Sequence, residues 1–203
     1  MRTGFRHTLW SLGVIAAFIA GTGTGVYYYN EIMVVSRSLF LNSAGDVAGT
    51  HESLPPLRAD QSFVMLPAFA QSLPLVYSET LEEERIQEYL KEGAVVLPLG
   101  KSFGEPGNVV VTAHSSGTEA FGPYRFAFAE LSELQEGQEY TITTTTAVYT
   151  YRVYGKEVVW PHEVDKLPND DRSTVTLVTC WPVWTNFKRL LVHSELVKTE
   201  YKI

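Results

Sequence analysis

Cysteine is all but missing from this chain: Cys180 is the only one in 203 residues. A single thiol excludes an internal disulfide framework, and no cysteine pair with zinc-ligand spacing exists. Positive charge is also scarce, since 16 Lys and Arg stand against 23 Asp and Glu for a net charge of -7. That balance excludes a nucleic-acid partner, which would need a basic patch to displace counterions. No internal repeat occurs, so solenoid and propeller architectures drop out. With 45% hydrophobic and 19% charged residues, the remainder has the composition of one ordinary globular domain plus appendages.

The local absence of charge from Thr8 to Tyr29 is the sharpest feature. Leu9, Trp10, Leu12, Val14, Ile15, Phe18 and Ile19 give this stretch the apolarity of a membrane-spanning helix, which needs about 20 residues. Arg2 and Arg6 precede it and Glu31 follows it, so the positive-inside rule places the N-terminus in the cytoplasm and the rest outside. A cleaved signal peptide is the rival reading, against which the uncharged stretch is long and Gly21 to Gly25 is a poor cleavage site. In both readings the bulk of the chain is exported. The expected organisation is a cytoplasmic stub and anchor over 1–30, a polar spacer over 31–62 and a folded domain over 63–203.

The domain reads as mainly β. Phe63 to Leu66, Leu73 to Tyr77, Ala94 to Leu97, Val109 to His114, Tyr140 to Thr145, Val148 to Trp160, Val175 to Cys180 and Arg189 to Thr199 are β-branched or aromatic runs between turn residues. Helical spacing is confined to Glu79 to Glu92 and Arg125 to Leu134. Short strands with one or two short helices predict a closed or nearly closed barrel of about eight strands, which leaves no exposed edge.

Export gives the lone thiol a meaning. In an oxidising compartment it stays free or pairs between chains, and it is either a buried small hydrophobe or a nucleophile. A nucleophile needs a cation, a helix N-terminus or a general base beside it. Cys180 ends the run Thr176-Leu177-Val178-Thr179-Cys180, which stops at Trp181-Pro182. His114 closes the run that starts at Asn108, and Arg189 opens the run that follows the cysteine across a short loop. Three strand ends can therefore bring a sulfur, an imidazole and a guanidinium together at one rim, the last able to bind a carbonyl oxygen as it gains charge. His162 and His193 compete with His114, and Arg125 and Arg172 with Arg189; Thr179 is either a strand residue or a group offered to a substrate carbonyl.

These residues resemble the sortase family. Thr176-Leu177-Val178-Thr179-Cys180 looks like its TLxTC signature, Asn108 to His114 like the strand ending in its catalytic histidine, and Lys188-Arg189-Leu190-Leu191-Val192 like the strand opening with its catalytic arginine. Ala113-His114-Ser115 stands where many sortases have Gly-His-Arg, which with Pro182 and the short Cys-to-Arg spacing points away from class A, toward classes C, D, E or the sortases of small-genome bacteria.

The resemblance implies a sortase-like barrel and a cysteine transpeptidase with Cys180 as nucleophile, His114 as general acid and base and Arg189 as oxyanion stabiliser, with Thr179 at the substrate. It further implies cleavage of an LPxTG-like sorting signal through a thioacyl enzyme, and transfer to an amine of a cell-wall precursor, pilin or surface protein, at the outer side of a bacterial cell membrane. No metal or organic cofactor enters that chemistry. Asp165, Asn169, Asp170 and Asp171 form either a solvated acidic turn or a calcium loop like that of some class A enzymes. Papain-like hydrolases place the cysteine before the histidine, and L,D-transpeptidases carry a Ser-His-Gly-Cys segment that this chain lacks. The non-enzyme alternative is a degenerate, membrane-tethered β-barrel that binds peptide or wall components.

Overall fold

The computed structural model describes residues 54–67, 72–99, 101–167 and 171–202, without the side chains of 164–166. The expected anchor and most of the expected spacer, residues 1–53, lie outside the described residues. No described helix is long and apolar enough to cross a membrane.

Among the described residues eight strands are present: β1 Phe63–Met65, β2 Leu73–Tyr77, β3 Ala94–Val96, β4 Gly107–Thr112, β5 Glu139–Thr143, β6 Ala147–Val159, β7 Ser173–Trp181 and β8 Lys188–Tyr201. They close into a barrel in the order β1-β2-β3-β4-β7-β8-β6-β5, with β1 pairing back onto β5. The expected mainly β barrel is thus what forms. Its order is less obvious than its strands, because β2–β3 and β4–β7 run parallel and the latter joins segments far apart in the chain.

Strand alternation sorts side chains between two faces. Val109 and Val111 of β4, Val175 and Leu177 of β7, and Leu190 and Val192 of β8 point inward to the main core, joined by Tyr140, Tyr151, Phe128 and Leu131. Leu54, ahead of the first strand, also packs on this core. The outer face of the same three strands carries its own small apolar cluster, Val110, Val178 and Leu191, covered by Leu97, Val159 and Leu167.

A buried polar row lies alongside that cluster. Thr174 and Thr176 donate to Asn108 Oδ1 at 3.1 and 3.0 Å, Thr176 Oγ1 is 3.0 Å from His193 Nδ1, and His193 Nε2 is 3.1 Å from Glu157 Oε1. This chain crosses β4, β7, β8 and β6 at one level, so it pins their register where apolar contacts alone would permit slippage. Thr176→Val keeps the shape but strands the buried His193 Nδ1 and leaves Asn108 Oδ1 with Thr174 alone. It is expected to cost about 1–3 kcal/mol of stability, read as a lower urea midpoint, with little change in the chemistry two rows away.

One α-helix, α1 Glu83–Leu90, replaces the longer one predicted over 79–92. Its missing first residues are held in a side-chain turn, in which Ser78 Oγ donates to Thr80 O at 2.7 Å and Thr80 and Glu82 N–H donate to hydroxyls. It ends at Leu90 with Lys91 as its cap, and the chain passes into β3 at Gly93, where a Cβ would collide with the Pro74 carbonyl.

The second predicted helix does not form as an α-helix. Residues 124–134 descend by three-residue turns, with Ala127 N–H bonded to Tyr124 O, Ala129 N–H to Phe126 O and a 3-10 turn at Leu131–Glu133. The cause is one diverted donor: Phe128 N–H bonds His114 O at 2.7 Å instead of the carbonyl of Tyr124. Tyr124, Ala127, Phe128, Leu131 and Leu134 are buried all the same. Their spacing suits three residues per turn nearly as well as 3.6, which is why it read as helix.

Candidate active site

Cys180 sits near the end of β7, directly opposite Arg189 at the start of β8. Opposed residues of antiparallel strands hold their Cβ atoms about 4.5–5.5 Å apart on one face, so thiol and guanidinium stem are neighbours. The loop between them is short and self-braced: Thr185 N–H and Oγ1 both bond Pro182 O, at 3.0 and 2.7 Å.

His114 reaches the same level from the other side. The last register pair of β4 and β7 is Thr112 with Val178. The contact then continues past the strand end, where Ala113 N–H donates to Val178 O at 3.2 Å and Ser115 Oγ donates to Cys180 O at 3.0 Å. Residue 114 thereby falls beside residue 180, just past the end of β4. The backbone positions of His114, Cys180 and Arg189 thus form one row across three adjacent strand ends.

Their environments differ. Cys180 is half-buried and has no disulfide partner. Arg189 is half-buried, and its Nη1 donates to Asn186 O and Lys188 O at 3.1 and 3.0 Å, which holds the guanidinium against the β7–β8 loop. His114 is only 8% exposed, and burial holds its imidazole below the usual histidine range because desolvation penalises the charged form. The Nε2 atom has no hydrogen-bond partner among the described residues.

Thr179 alternates to the inner face. It is buried, and its hydroxyl donates to Ala113 O at 2.7 Å, so it ties the end of β7 to the residue before His114. Its hydroxyl is therefore engaged within the fold.

The competitors, His162 apart, are engaged in other contacts. His193 is engaged in the buried polar row, and His162 is exposed in the 3-10 turn Pro161–Lys166. Arg172 pairs with Glu195 at 3.2 Å, near the start of β7. Arg125 donates to Gly122 O at 3.2 Å. Of the acidic group, Asp171 is exposed, while Asn169, Asp170 and the Asp165 side chain lie outside the described ones. Among the described residues no cluster of three or more His, Cys, Asp or Glu could hold a metal.

Ser116 and Trp184, which no sequence pattern singles out, also bear on the site. Ser116 Oγ accepts the Trp184 N–H at 2.8 Å, and the Trp184 ring meets Phe126 edge-on with centroids 5.5 Å apart. Trp184 has φ 68°, a left-handed conformation that a bulky residue adopts only when its surroundings impose it. Together with Ser115, Ser116 therefore clasps the segment after His114 onto Cys180 and the loop that follows it. A Ser-Ser pair has no periodicity or spacing that would have announced this.

The architecture has counterparts among known proteins. The Sortase domain family profile matches residues 64–197. Sortase A of Bacillus anthracis is 24% identical over 139 residues, which cover 68% of this chain and 60% of that protein. The chain thus spans less than two thirds of the length of this relative. Among solved structures, sortase A of Listeria monocytogenes superposes with a TM-score of 0.57 at 21% identity, covering 72% of this chain and 92% of that one. Sortase C of Clostridium perfringens with the C-terminal cell wall sorting motif gives 0.55 at 29% identity, covering 67% and 69%. The eight-stranded barrel and a profile match over most of the chain leave one assignment: this protein belongs to the sortase family.

Proposed function

We propose that this chain is a cysteine transpeptidase that cleaves a sorting-signal peptide of LPxTG type and transfers the acyl part to an amine. The observation that carries the reading is the shared row of His114, Cys180 and Arg189. At the same strand end, Val158, Trp160, Trp181, Pro182, Phe187 and Lys188 line an open, mainly apolar groove that suits an extended peptide. The Clostridium perfringens relative was solved with a sorting motif, which supports a peptide of that class here.

The chemistry follows from the row. His114 takes the thiol proton of Cys180 as the sulfur adds to the scissile carbonyl, and the oxygen that gains charge lies toward the Arg189 fork. His114 gives its proton to the departing amine, leaving a thioacyl enzyme. A second amine, from a cell-wall precursor, a pilin or another surface protein, loses its proton to His114 as it attacks the thioester. Cys180 then leaves as thiolate, takes that proton from His114 and the cycle closes. The uncharged segment 8–29 supports tethering to the membrane with this site on the outer side.

The test is incubation of the full chain with a library of Leu-Pro-containing peptides, without an added amine, followed by intact-mass spectrometry. Accumulation of a mass increment on Cys180 equal to the N-terminal peptide fragment is the expected result, discharged by adding hydroxylamine. A chain that binds such peptides and never acquires the increment would be a degenerate binding barrel.

A further inference from the structure

The turn that follows His114 folds back over it. Glu119–Phe121 is a 3-10 turn, closed by Phe121 N–H to Thr118 O and Gly122 N–H to Glu119 O, both at 3.0 Å. The Phe121 ring meets the imidazole edge-on, with centroids 4.8 Å apart and planes at 88°. Two glycines permit this. Gly122 takes φ 78°, a left-handed value open to glycine, and a Cβ on Gly117 would lie 2.9 Å from the Phe121 ring. The ring itself remains 37% exposed, so it is no part of the barrel core.

An imidazole nitrogen shut away from water without a partner costs free energy, and a fold retains such a group where a ligand completes it. His114 Nε2 is in that state among the described residues, in a residue more than nine-tenths buried. We propose that Phe121 is a positioning residue for acyl transfer: its ring fixes the plane of the His114 imidazole and keeps water from it, reserving its nitrogen for the sulfur and the reacting amine. This rests on His114 being the proton-transfer partner of Cys180. The titratable and charged groups on the surrounding elements are Cys180 on β7, Arg189 on β8, Glu119 on the turn itself, and Arg125 and Lys91 beyond Gly122. Burial is the cause of the lowered histidine titration, so removal of the cover has a predictable sign.

In Phe121→Ala, water reaches the ring and the His114 titration rises toward the ordinary 6.5, followed by NMR of ring-labelled histidine in the full chain. The stability profile moves with it. In the native chain the unfolded state takes up this proton first as pH falls below 6.5, so the fold loses stability there, and Phe121→Ala should lose less. For peptide cleavage, kcat should fall by about tenfold to a hundredfold with KM changed less than about twofold, and Phe121→Tyr should restore both kcat and the low titration.

An unchanged His114 titration in Phe121→Ala overturns the proposal whatever the activity does. A raised titration with unaltered kcat overturns the positioning role. Because the titration is read without substrate, failure of the transpeptidase reading is separable from failure of the cover: it would show as His114→Ala leaving thioacyl formation intact.

Discussion

Cys180→Ala is expected to lower peptide cleavage by at least about a thousandfold while the barrel keeps its stability to within about 1 kcal/mol. The two halves of that expectation come from different parts of the structure. The register of β7 is set by its parallel pairing with β4, its antiparallel pairing with β8 and the hydroxyl of Thr179 on Ala113 O, none of which involves the sulfur. The Cys180 side chain is half-buried on the outer face, so its loss opens no core cavity. The chemistry, in contrast, has no substitute: no second thiol exists in the chain. Cys180→Ser sharpens the test, because serine matches the size but is far less acidic and should fail nearly as badly. Peptide cleavage retained in either variant, measured by mass spectrometry of the released fragment, would remove the thiol from the mechanism. Retained binding of peptide by Cys180→Ala, with cleavage gone, is the outcome that joins nucleophile and groove into one site.

How far this was legible beforehand depends on what sets each feature. The eight strands announced themselves because each is a β-branched or aromatic run bounded by Gly, Pro, Asn or Asp, and local chemistry suffices for that. Their order did not, since alternation assigns a residue to a face and says nothing of which strand lies next to it. The pairing of Cys180 with Arg189 lies between these cases: a short loop almost obliges two antiparallel strands to oppose their ends. His114 comes level with them only through the parallel β4–β7 contact, a tertiary fact that the residues' resemblance to a known signature could suggest and spacing could not. Phe121 and Ser116 were missed for the same reason, because their roles reside in contacts to His114 and Trp184 rather than in any repeating pattern. The segment 124–134 shows the reverse error: its apolar spacing looked helical, and a single main-chain bond from Phe128 to His114 O redirected it. That bond couples the one misread element to the candidate site.

Arg189→Lys should be almost as damaging as Arg189→Ala, with thioacyl formation slowed by about a hundredfold to a thousandfold in both, the range for loss of an oxyanion donor. The argument turns on geometry rather than charge. In the structure Nη1 is spent on Asn186 O and Lys188 O, so the loop holds one arm of the guanidinium. A planar fork with five donors can keep that anchor and still present another N–H to the carbonyl oxygen above Cys180, its register partner. An ammonium on a flexible stem keeps the charge but cannot do both at fixed angles. If Arg189 acted only as a distant positive potential on the thiolate, lysine would retain most of the rate and the residual effect would weaken steeply with salt. A Lys variant within about tenfold of the native rate would therefore rule out the fork. Alkylation of Cys180 by iodoacetamide separates the two roles further: an oxyanion donor acts on the carbonyl, so Arg189→Lys should alkylate at nearly the native rate while failing to acylate. A matching loss in both reactions would place the guanidinium at the sulfur instead.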